Sequence, residues 1–490
     1  MPEQISHDEP SGGRLIKSLY HFTTMIRIHQ DNNRSIKDCL ADFNSQVSGL
    51  LTEGELSIQI WRGRFHIQGE KLVYRREYYT IINEMLEYFS ARGLGGICFL
   101  STFNKTLPEQ IVMFMHLLND SAKHEDPAGW LDSELEKNNY SWVELYRKQD
   151  ESLIPQDLEQ SSEQSPDMLS KKKARNIYLH ALDTVRDATE KASREAGGVR
   201  KARRLAQTMV DMVYEDSAVL LQMASFKSSG DYAYMHCVNV ALLAVCLGKH
   251  LGLSRILLES LAICSLFHDL GLVDPPDEVP LKHGDLNHGG LGILQRHILV
   301  GLRKTLQMDI PHDLRARIIP GIFEHHLNLD LSGFPKTHFV KRLSLFGKII
   351  HISDVYETLT SELVDEIGRL TPDEALRRMW GEKGKAFDTI LLKIFLTMMG
   401  IYPIGSVVEL DSGEIGLVME YSDKTLKDLP KVMLLVDDGK GGMMRGEIIN
   451  LVDQDMDISR RTILRSIPYS RLEIQPAQLF NEEAKAYMVF

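Results

Sequence analysis

Apolar residues in the first third of the chain follow a helical period and then a strand period. Between Arg14 and Leu51 they recur every three or four positions, as at Leu15, Leu19 and Phe22, which predicts one or two helices. Later patterns predict strands at 56–61, 65–69, 71–74 and 95–100 and helices at 77–91 and 107–120. Residues 1–147 are therefore expected to form an α+β domain. A sensory or partner-docking role for it is a hypothesis from its position.

The rest of the chain divides into three segments by the same patterns. Residues 148–170 are polar and acidic and contain no aromatic side chain, which is typical of a linker. Helical periodicity then predominates over 171–400, whereas 401–490 contains short β-branched runs separated by turn signals. The predicted fold class is thus multidomain. It combines the α+β N-terminal domain, a central all-α bundle and a small β-rich C-terminal module.

Composition narrows the possible functions and the expected location. The 490 residues carry a net charge of −12, which argues against a dedicated binder of nucleic-acid polymers. The five cysteines form no CxxC pair, and several lie in apolar runs, as expected in a reducing compartment. The start does not resemble a signal peptide, and no uninterrupted apolar run reaches the roughly 18–20 residues of a membrane span. A cytoplasmic location is therefore predicted.

Histidines are concentrated in the predicted helical region. Eleven of the 18 lie between His236 and His351. Mixed imidazole and carboxylate ligands suit iron, manganese or zinc, and a carboxylate such as Asp269 has two oxygens with which to bridge two ions. Two ions about 3.5–4 Å apart can stabilise both the attacking and the leaving oxygen of a phosphodiester. The candidate ligands of such a site inside the bundle are His236, His268, Asp269, His297, His325, His326 and Asp354.

Four segments in this region resemble the HD-GYP family of bacterial signalling phosphodiesterases, a branch of the HD superfamily. They are HDLGLVDPPDEV, QRHILVG, HHLNLDLSGFP and ISDVYETLTS, in chain order. The resemblance covers about 230–400, and the β-rich tail is similar to an extension found in such proteins. It implies an all-α fold and two divalent ions, iron or manganese, held by the seven residues above. It also implies hydrolysis of cyclic di-GMP to pGpG or GMP.

The chain departs from the family pattern at positions that handle substrate. Leu272 replaces a lysine, Asn328 an arginine, and Phe334 the tyrosine of the GYP motif. In addition, Leu327 replaces a glutamate, and Tyr232 stands where some members have a third-metal glutamate. Losing a cation at a phosphate site removes transition-state stabilisation. The candidates to replace it in binding substrate are Lys282, Arg296, Lys336 and Lys341.

Three functions remain open from the sequence. The first is a phosphodiesterase in which Asp269 bridges the metals and a bridging hydroxide attacks phosphorus. The second is a non-catalytic receptor or scaffold that binds a nucleotide or a signalling protein. The third is an HD phosphohydrolase acting on another nucleotide or phosphoester. Filled ligand positions favour catalysis, whereas the changes at Leu272, Asn328 and Phe334 favour the receptor. The predicted helix at 171–215 is compatible with a homodimer stalk and equally with core packing.

Overall fold

The protein is described by a computed structural model that covers most of the chain. The described residues are 11–28, 33–51, 55–61, 63–68, 70–74, 76–147, 178–179, 181–183, 185–186, 197–225, 232–272, 296–308, 310, 312–336, 338–361, 370–421, 429–437, 443–452 and 461–468. The predicted linker at 148–170 and the candidate Lys282 lie outside them. The chain divides into two compact units. One consists of residues 1–152 with 311–314 and is called the N-terminal unit, and the other comprises the remaining residues.

The N-terminal unit combines helices with one antiparallel sheet. The helices are α1 (Ser11–Ile28), α2 (Arg34–Leu50), α3 (Tyr79–Ser90), α4 (Pro108–Asp120) and α5 (Pro127–Lys137). The strands β1 (Glu55–Trp61), β2 (Arg64–Ile67), β3 (Glu70–Lys71), β4 (Leu94–Leu100) and β5 (Val143–Arg147) lie in the order β3-β2-β1-β4-β5. The predicted strands at 56–61 and 95–100 are confirmed. The one predicted at 71–74 is wrong, because β3 ends at Lys71, and α5 and β5 were not predicted.

Local chemistry explains several boundaries in this unit. Asn33 caps α2 by accepting the backbone N–H of Ser35, and Pro108 begins α4, where no intrahelical donor is needed. Gly96 has a φ of 156°, and a Cβ there would overlap the Ile58 carbonyl of β1. The GLGG sequence is therefore a helix-to-strand connection that needs glycine for a close approach between strands.

The second unit contains the predicted helical region. Its helices are α6 (Gly197–Glu215), α7 (Ser217–Ala224), α8 (Tyr232–His250), α9 (Arg255–Phe267), α10 (His297–Gln307), α11 (His312–Glu324), α12 (Leu345–Thr360), α13 (Pro372–Gly381) and α14 (Thr389–Met399). The described part of α8 is buried on nearly every side up to Gly248, and α8 packs against α9 and α12. Helices that are apolar all round lie in the interior. On α6, Met209 and Val213 are fully buried within the protein itself, which is the core packing that the sequence left open.

A second antiparallel sheet follows the helices. Strands β6 (Val407–Leu410), β7 (Ile415–Glu420), β8 (Lys431–Asp437), β9 (Met443–Asn450) and β10 (Ile463–Ile467) lie in the order β10-β6-β7-β8-β9. Gln222 of α7 donates a hydrogen bond to the Met419 carbonyl of β7 at 2.7 Å, so this sheet packs on the helical region. The predicted run at 448–452 is the end of β9, and β10 was not predicted. Among the described residues, no helix is long and apolar enough to cross a membrane.

Candidate metal centre

The seven candidate ligands predicted from the sequence lie together among five helices. His236 is on α8, His268 and Asp269 follow the end of α9, and His297 begins α10. His325 and His326 directly follow α11, and Asp354 is on α12. All are buried except His326, whose side chain is 24% exposed. Residues that are 118 positions apart in the chain therefore converge on one interior site, as metal sites in helical bundles do.

Asp269 stands at the middle of the cluster. Its Oδ1 lies 3.1 Å from Nε2 of His297 and 3.3 Å from Nε2 of His325. Its Oδ2 lies 3.6 Å from Nε2 of both His236 and His268. Asp269 thus belongs to two sets of potential metal ligands, one with His297, His325 and His326 and one with His236 and His268. Within each set the ligand atoms lie within 4.8 Å of one another.

Asp354 contacts one histidine of each set. Its Oδ1 is 3.1 Å from Nε2 of His236, and its Oδ2 is 3.5 Å from Nδ1 of His326. Glu324, the last residue of α11, accepts the backbone N–H of Ser344 at the start of α12. This contact fixes the position of the histidine pair after α11 relative to the helix that carries Asp354.

A glycine brings α9 and α10 close together at the site. A Cβ on Gly271 would overlap the backbone carbonyl of His297 and would lie 2.9 Å from the backbone nitrogen of Gly301. Any larger residue at position 271 would push α10 away. Gly271 therefore lets His297 reach Asp269.

Backbone and side-chain acceptors orient three of the imidazoles. The Nδ1 atoms of His268 and His325 lie 2.6 Å from the carbonyls of Ser265 and Ile322, and that of His236 lies 2.5 Å from Oε2 of Glu357. Carbonyl and carboxylate oxygens only accept, so each Nδ1 must donate. In the neutral ring the lone pair is then on Nε2, which faces the carboxylates of the centre. Metal-binding histidines are commonly held in this way.

The donor set fits divalent cations. Nε2 of His268 is buried and has no hydrogen-bond partner in the part of the chain that the structure describes. Buried polar atoms without partners are rare, and a bound ion is one ordinary reason for them. Imidazole lone pairs and carboxylates that face one another repel unless a cation lies between them. A buried site with five imidazoles and two carboxylates therefore suits divalent transition-metal ions.

Ionisation in the cluster also suits metal binding. Burial lowers the pKa of His268 to about 4 and, together with the neighbouring His325, lowers the pKa of His326 well below its usual value. Burial opposes the charge of Asp269, but His268 and His297 hold its pKa well below the usual range. Burial alone would lower the pKa of His236, whereas the carboxylates of Glu357 and Asp354 raise it well above the usual value. Metal binding at His236 would therefore displace a proton.

The loop after the histidine pair folds over the centre. The ring of Phe334 lies 4.5 Å from that of His326, measured between centroids. Gly333 has a φ of 97°, and a Cβ there would overlap the His326 carbonyl. Asn328, at the position of the family arginine, donates to the Ser332 hydroxyl at 2.9 Å within this loop. The loop therefore covers His326 with an aromatic ring and supplies no charge from Asn328.

The candidate substrate cations are not part of the buried cluster. Arg296, Lys336 and Lys341 are exposed. Leu272 is half-buried, and its backbone N–H bonds to the Asp269 carbonyl. A substrate-binding role for the three cations therefore stays a prediction.

The sequence analysis missed residues that surround the ligands. Glu357, Asn239 and His351 are buried, and none of them is among the seven candidate ligands. Nδ1 of His351 lies 2.7 Å from the carbonyl of His325. Glu357 follows Asp354 by three positions, a spacing that places both on one face of a helix. That spacing is the sequence signal that could have identified Glu357.

Comparison with known proteins agrees with this geometry. Residues 204–391 match the family model of the HD domain. The chain is 32% identical over 223 residues to a cyclic di-GMP phosphodiesterase of Pseudomonas aeruginosa, covering 44% of this chain and 53% of that protein. It is 24% identical to the cyclic di-GMP phosphodiesterase PdeB of Borreliella burgdorferi, with 44% and 55% covered. It is also 32% identical over 149 residues to a 3'3'-cGAMP-specific phosphodiesterase of Vibrio cholerae, with 30% and 34% covered.

The chain spans about half the length of the first two relatives and about a third of the last. Among solved structures, an HDG"Y"P protein from Bdellovibrio bacteriovorus is similar over 69% of this chain and 92% of that one, with 12% identity and a TM-score of 0.41. The region matched by the family model contains all seven candidate ligands. Residues 204–391 therefore match an HD domain, and their ligand motifs resemble those of the HD-GYP family.

Proposed function

We propose that the protein is a metal-dependent phosphodiesterase that hydrolyses a cyclic dinucleotide, with cyclic di-GMP as the first candidate. The observation that carries this proposal is the position of Asp269, which is shared by two sets of potential metal ligands. A shared carboxylate is the arrangement that holds two ions at the short separation useful for phosphodiester cleavage. The relatives named for cyclic dinucleotides supply the substrate class.

Each of the two ligand sets would hold one ion. His236 and His268 would bind one ion, and His297, His325 and His326 the other, with Asp269 shared. Asp354, which lies beside His236 and His326, would complete the site. Bound divalent ions of the iron or manganese type would activate water for attack on phosphorus and neutralise charge on the phosphate.

The protein side of the chemistry follows from burial and orientation. The buried carboxylates and imidazoles surround a site with little water, where electrostatic interactions are strong. His326 is the most exposed of the seven side chains, so substrate would approach from its side. Phe334 lies against His326 and offers an aromatic face on that approach. Its ring can contact a base but cannot donate the hydrogen bond of a tyrosine.

The direct test measures metal and turnover on the same preparation. The full chain would be purified without oxygen, its iron and manganese measured, and the hydrolysis of cyclic di-GMP and of 3'3'-cGAMP followed. We expect two ions per chain and linear product. Asp269→Ala should lose both metal and activity, because both ligand sets lose their shared member. His250→Ala is the matched control, since His250 lies on α8 with His236 but its Nδ1 bonds to the Cys246 carbonyl of the same helix.

The outcomes separate the competing functions. Bound metal without turnover of either cyclic dinucleotide would refute the phosphodiesterase proposal for these substrates. Turnover of another phosphoester would then point to a different HD phosphohydrolase. Unchanged metal content in Asp269→Ala would show that the ligand assignment is wrong.

One observation favours a receptor as the second candidate. Asn328 stands at the family arginine position and is bonded to Ser332 within its own loop. A site that holds metal but lacks a cation for substrate would bind a nucleotide without efficient cleavage. Tight binding of cyclic di-GMP with no product, measured by calorimetry and chromatography, would support this candidate.

A further inference from the structure

A buried carboxylate lies behind His236, on the side of the ring away from the metal centre. Glu357 is 1% exposed, and its Oε2 is 2.5 Å from Nδ1 of His236. The other nitrogen of this ring, Nε2, faces Asp354 at 3.1 Å and Asp269 at 3.6 Å. Glu357 thus contacts a candidate ligand without facing the centre itself.

Two further side chains extend this contact outward. Asn239 donates from Nδ2 to Oε1 of Glu357 at 3.2 Å, and its Oδ1 accepts the hydroxyl of Tyr178 at 3.0 Å. Asn239 and Tyr178 are also buried. Buried polar networks are stable only when each polar group has a hydrogen-bond partner. The direction of donation along these bonds is therefore fixed.

The donors and acceptors in the chain can be assigned from Glu357 outward. A carboxylate only accepts, so Asn239 must direct its amide nitrogen to Glu357 and its oxygen to Tyr178. The hydroxyl of Tyr178 must then donate. By the same rule Nδ1 of His236 must carry a proton, which leaves Nε2 as the atom available to a metal ion.

We propose that Glu357 is a positioning residue of the metal centre, which holds His236 in the orientation and tautomer that a metal ion requires, and that Asn239 and Tyr178 hold Glu357. The inference rests on the proposed metal centre and adds to it residues that are not among the seven candidate ligands. Partners of this kind commonly change metal affinity by about 10–100-fold when they are replaced. Tyr178 follows the predicted linker and precedes α6 in the chain. The network therefore connects this part of the chain with the metal centre.

The test measures the affinity of the full chain for Mn²⁺, without any substrate. Glu357→Gln keeps the shape of the side chain but removes its charge and offers Asn239 an amide in place of a carboxylate oxygen. We expect Mn²⁺ binding to weaken by about 10–100-fold. Glu357→Asp keeps the charge and should retain more affinity than Glu357→Gln. Tyr178→Phe removes only the outermost donor and should weaken binding in the same direction by a smaller factor.

Ser353→Ala is the matched control. Ser353 is buried on α12 like Glu357, but its hydroxyl donates to the Ile349 carbonyl of the same helix. Its Mn²⁺ affinity should equal that of the natural protein. The melting temperature of each metal-free variant provides the second measurement. If Glu357→Gln does not fold, Tyr178→Phe still decides the matter, because it removes a single hydroxyl.

Each result separates the inference from the function. Wild-type affinity in Glu357→Gln and Tyr178→Phe, with only the metal-free melting temperature reduced, would show a merely structural role and overturn the proposal. Weaker binding in both variants, but not in Ser353→Ala, would support it even if the protein hydrolyses no cyclic dinucleotide. Absence of Mn²⁺ binding by the natural protein would refute both the centre and this inference.

Discussion

The two adjacent histidines of the centre use different ring nitrogens. His325 turns Nε2 toward Asp269, whereas His326 turns Nδ1 toward Asp354. Neighbouring residues at the end of a helix point in different directions, so this dipeptide reaches Asp269 and Asp354 with different ring atoms. The carbonyl between them lies 2.7 Å from Nδ1 of His351, which holds this peptide in place. The histidine pair therefore contacts both carboxylates from a fixed backbone.

The low pKa of His268 predicts how the metal-free protein responds to acid. The pKa is about 4 in the folded protein and about 6.5 in an unfolded chain. Between these values the unfolded chain binds more protons, so acidification destabilises the fold. His268 should therefore contribute a loss of about 3 kcal/mol between about pH 6.5 and pH 4. Urea unfolding of the metal-free chain at several pH values would measure it.

His268→Gln provides the comparison for this prediction, because the glutamine does not titrate. The free energy of unfolding of this variant should fall less steeply over the same pH interval. Equal slopes for the two proteins would contradict the assignment to His268.

At the scale of elements, the loop after His326 is held by backbone contacts at both sides. The backbone N–H of Asn328 donates to the Ser332 carbonyl, and the Asn328 carbonyl accepts the N–H of Leu331. The N–H of Leu329 donates to the Ala386 carbonyl at 2.9 Å. Backbone hydrogen bonds therefore hold this loop between α11 and α12, together with the side-chain bonds of Asn328 and Asp330 to Ser332.

Gly333→Ala should disrupt this loop. The φ of 97° at Gly333 is unfavourable for alanine, and the added Cβ would overlap the His326 carbonyl. We expect the second unit to lose about 1–3 kcal/mol of stability. The centre should also bind metal less tightly, because His326 must move. Thermal melting and Mn²⁺ titration would measure the two effects.

Gly381→Ala is the matched control for the loop variant. Gly381 ends α13, and a Cβ there would meet no atom within 4 Å. Its stability and metal affinity should stay close to those of the natural protein. A loop variant that behaves like this control would show that the glycine is not required.

In the N-terminal unit, one buried arginine joins the ends of two helices. Arg92 donates from Nε to the Leu118 carbonyl at 2.7 Å and from Nη1 to the Tyr88 carbonyl at 2.9 Å. Arg92→Gln should leave at least one of these carbonyls without a donor and cost about 2–3 kcal/mol. Three of the four tryptophans, Trp61, Trp130 and Trp142, lie in this unit, so urea unfolding can be followed by fluorescence.

Lys123→Gln is the control for the arginine variant. Lys123 is 74% exposed and pairs with Asp120 at the surface, where such a change alters stability by less than about 0.5 kcal/mol. If Arg92→Gln lost no more stability than Lys123→Gln, this result would contradict the role assigned to the Arg92 guanidinium.

At the scale of the whole molecule, the two units contain separate cores, and the candidate metal ligands belong to only one of them. Metal removal should therefore lower the stability of the second unit. A ligand present at 100 times its Kd stabilises the folded state by about 2.7 kcal/mol. We expect a chelator to lower the melting transition seen by far-UV circular dichroism and to leave the tryptophan transition of the N-terminal unit unchanged.

Asp269→Ala should show no response to the chelator, since it lacks the shared ligand. Equal shifts of both transitions in the natural protein would instead show that the two units unfold together.

The sequence by itself was enough to propose the candidate ligands of the centre. The order of His236, the pair at 268–269, His297, the pair at 325–326 and Asp354 was enough to propose them as one cluster, and the structure brings all seven together. It also indicated the helical region and most strands, because amphipathic periods reflect which faces are buried. It missed α5, β5 and β10, which are short segments with a weak apolar period.

Only the tertiary structure decided how these residues act on one another. It places Asp269 between two ligand sets and puts Glu357 behind His236, although 121 positions separate the last two residues in the chain. It also shows that Asn328 bonds within its own loop. Local patterns report the burial of a residue, whereas its hydrogen-bond partner depends on how helices distant in the chain pack together. For that reason the ligands could be predicted from the sequence and their supports could not.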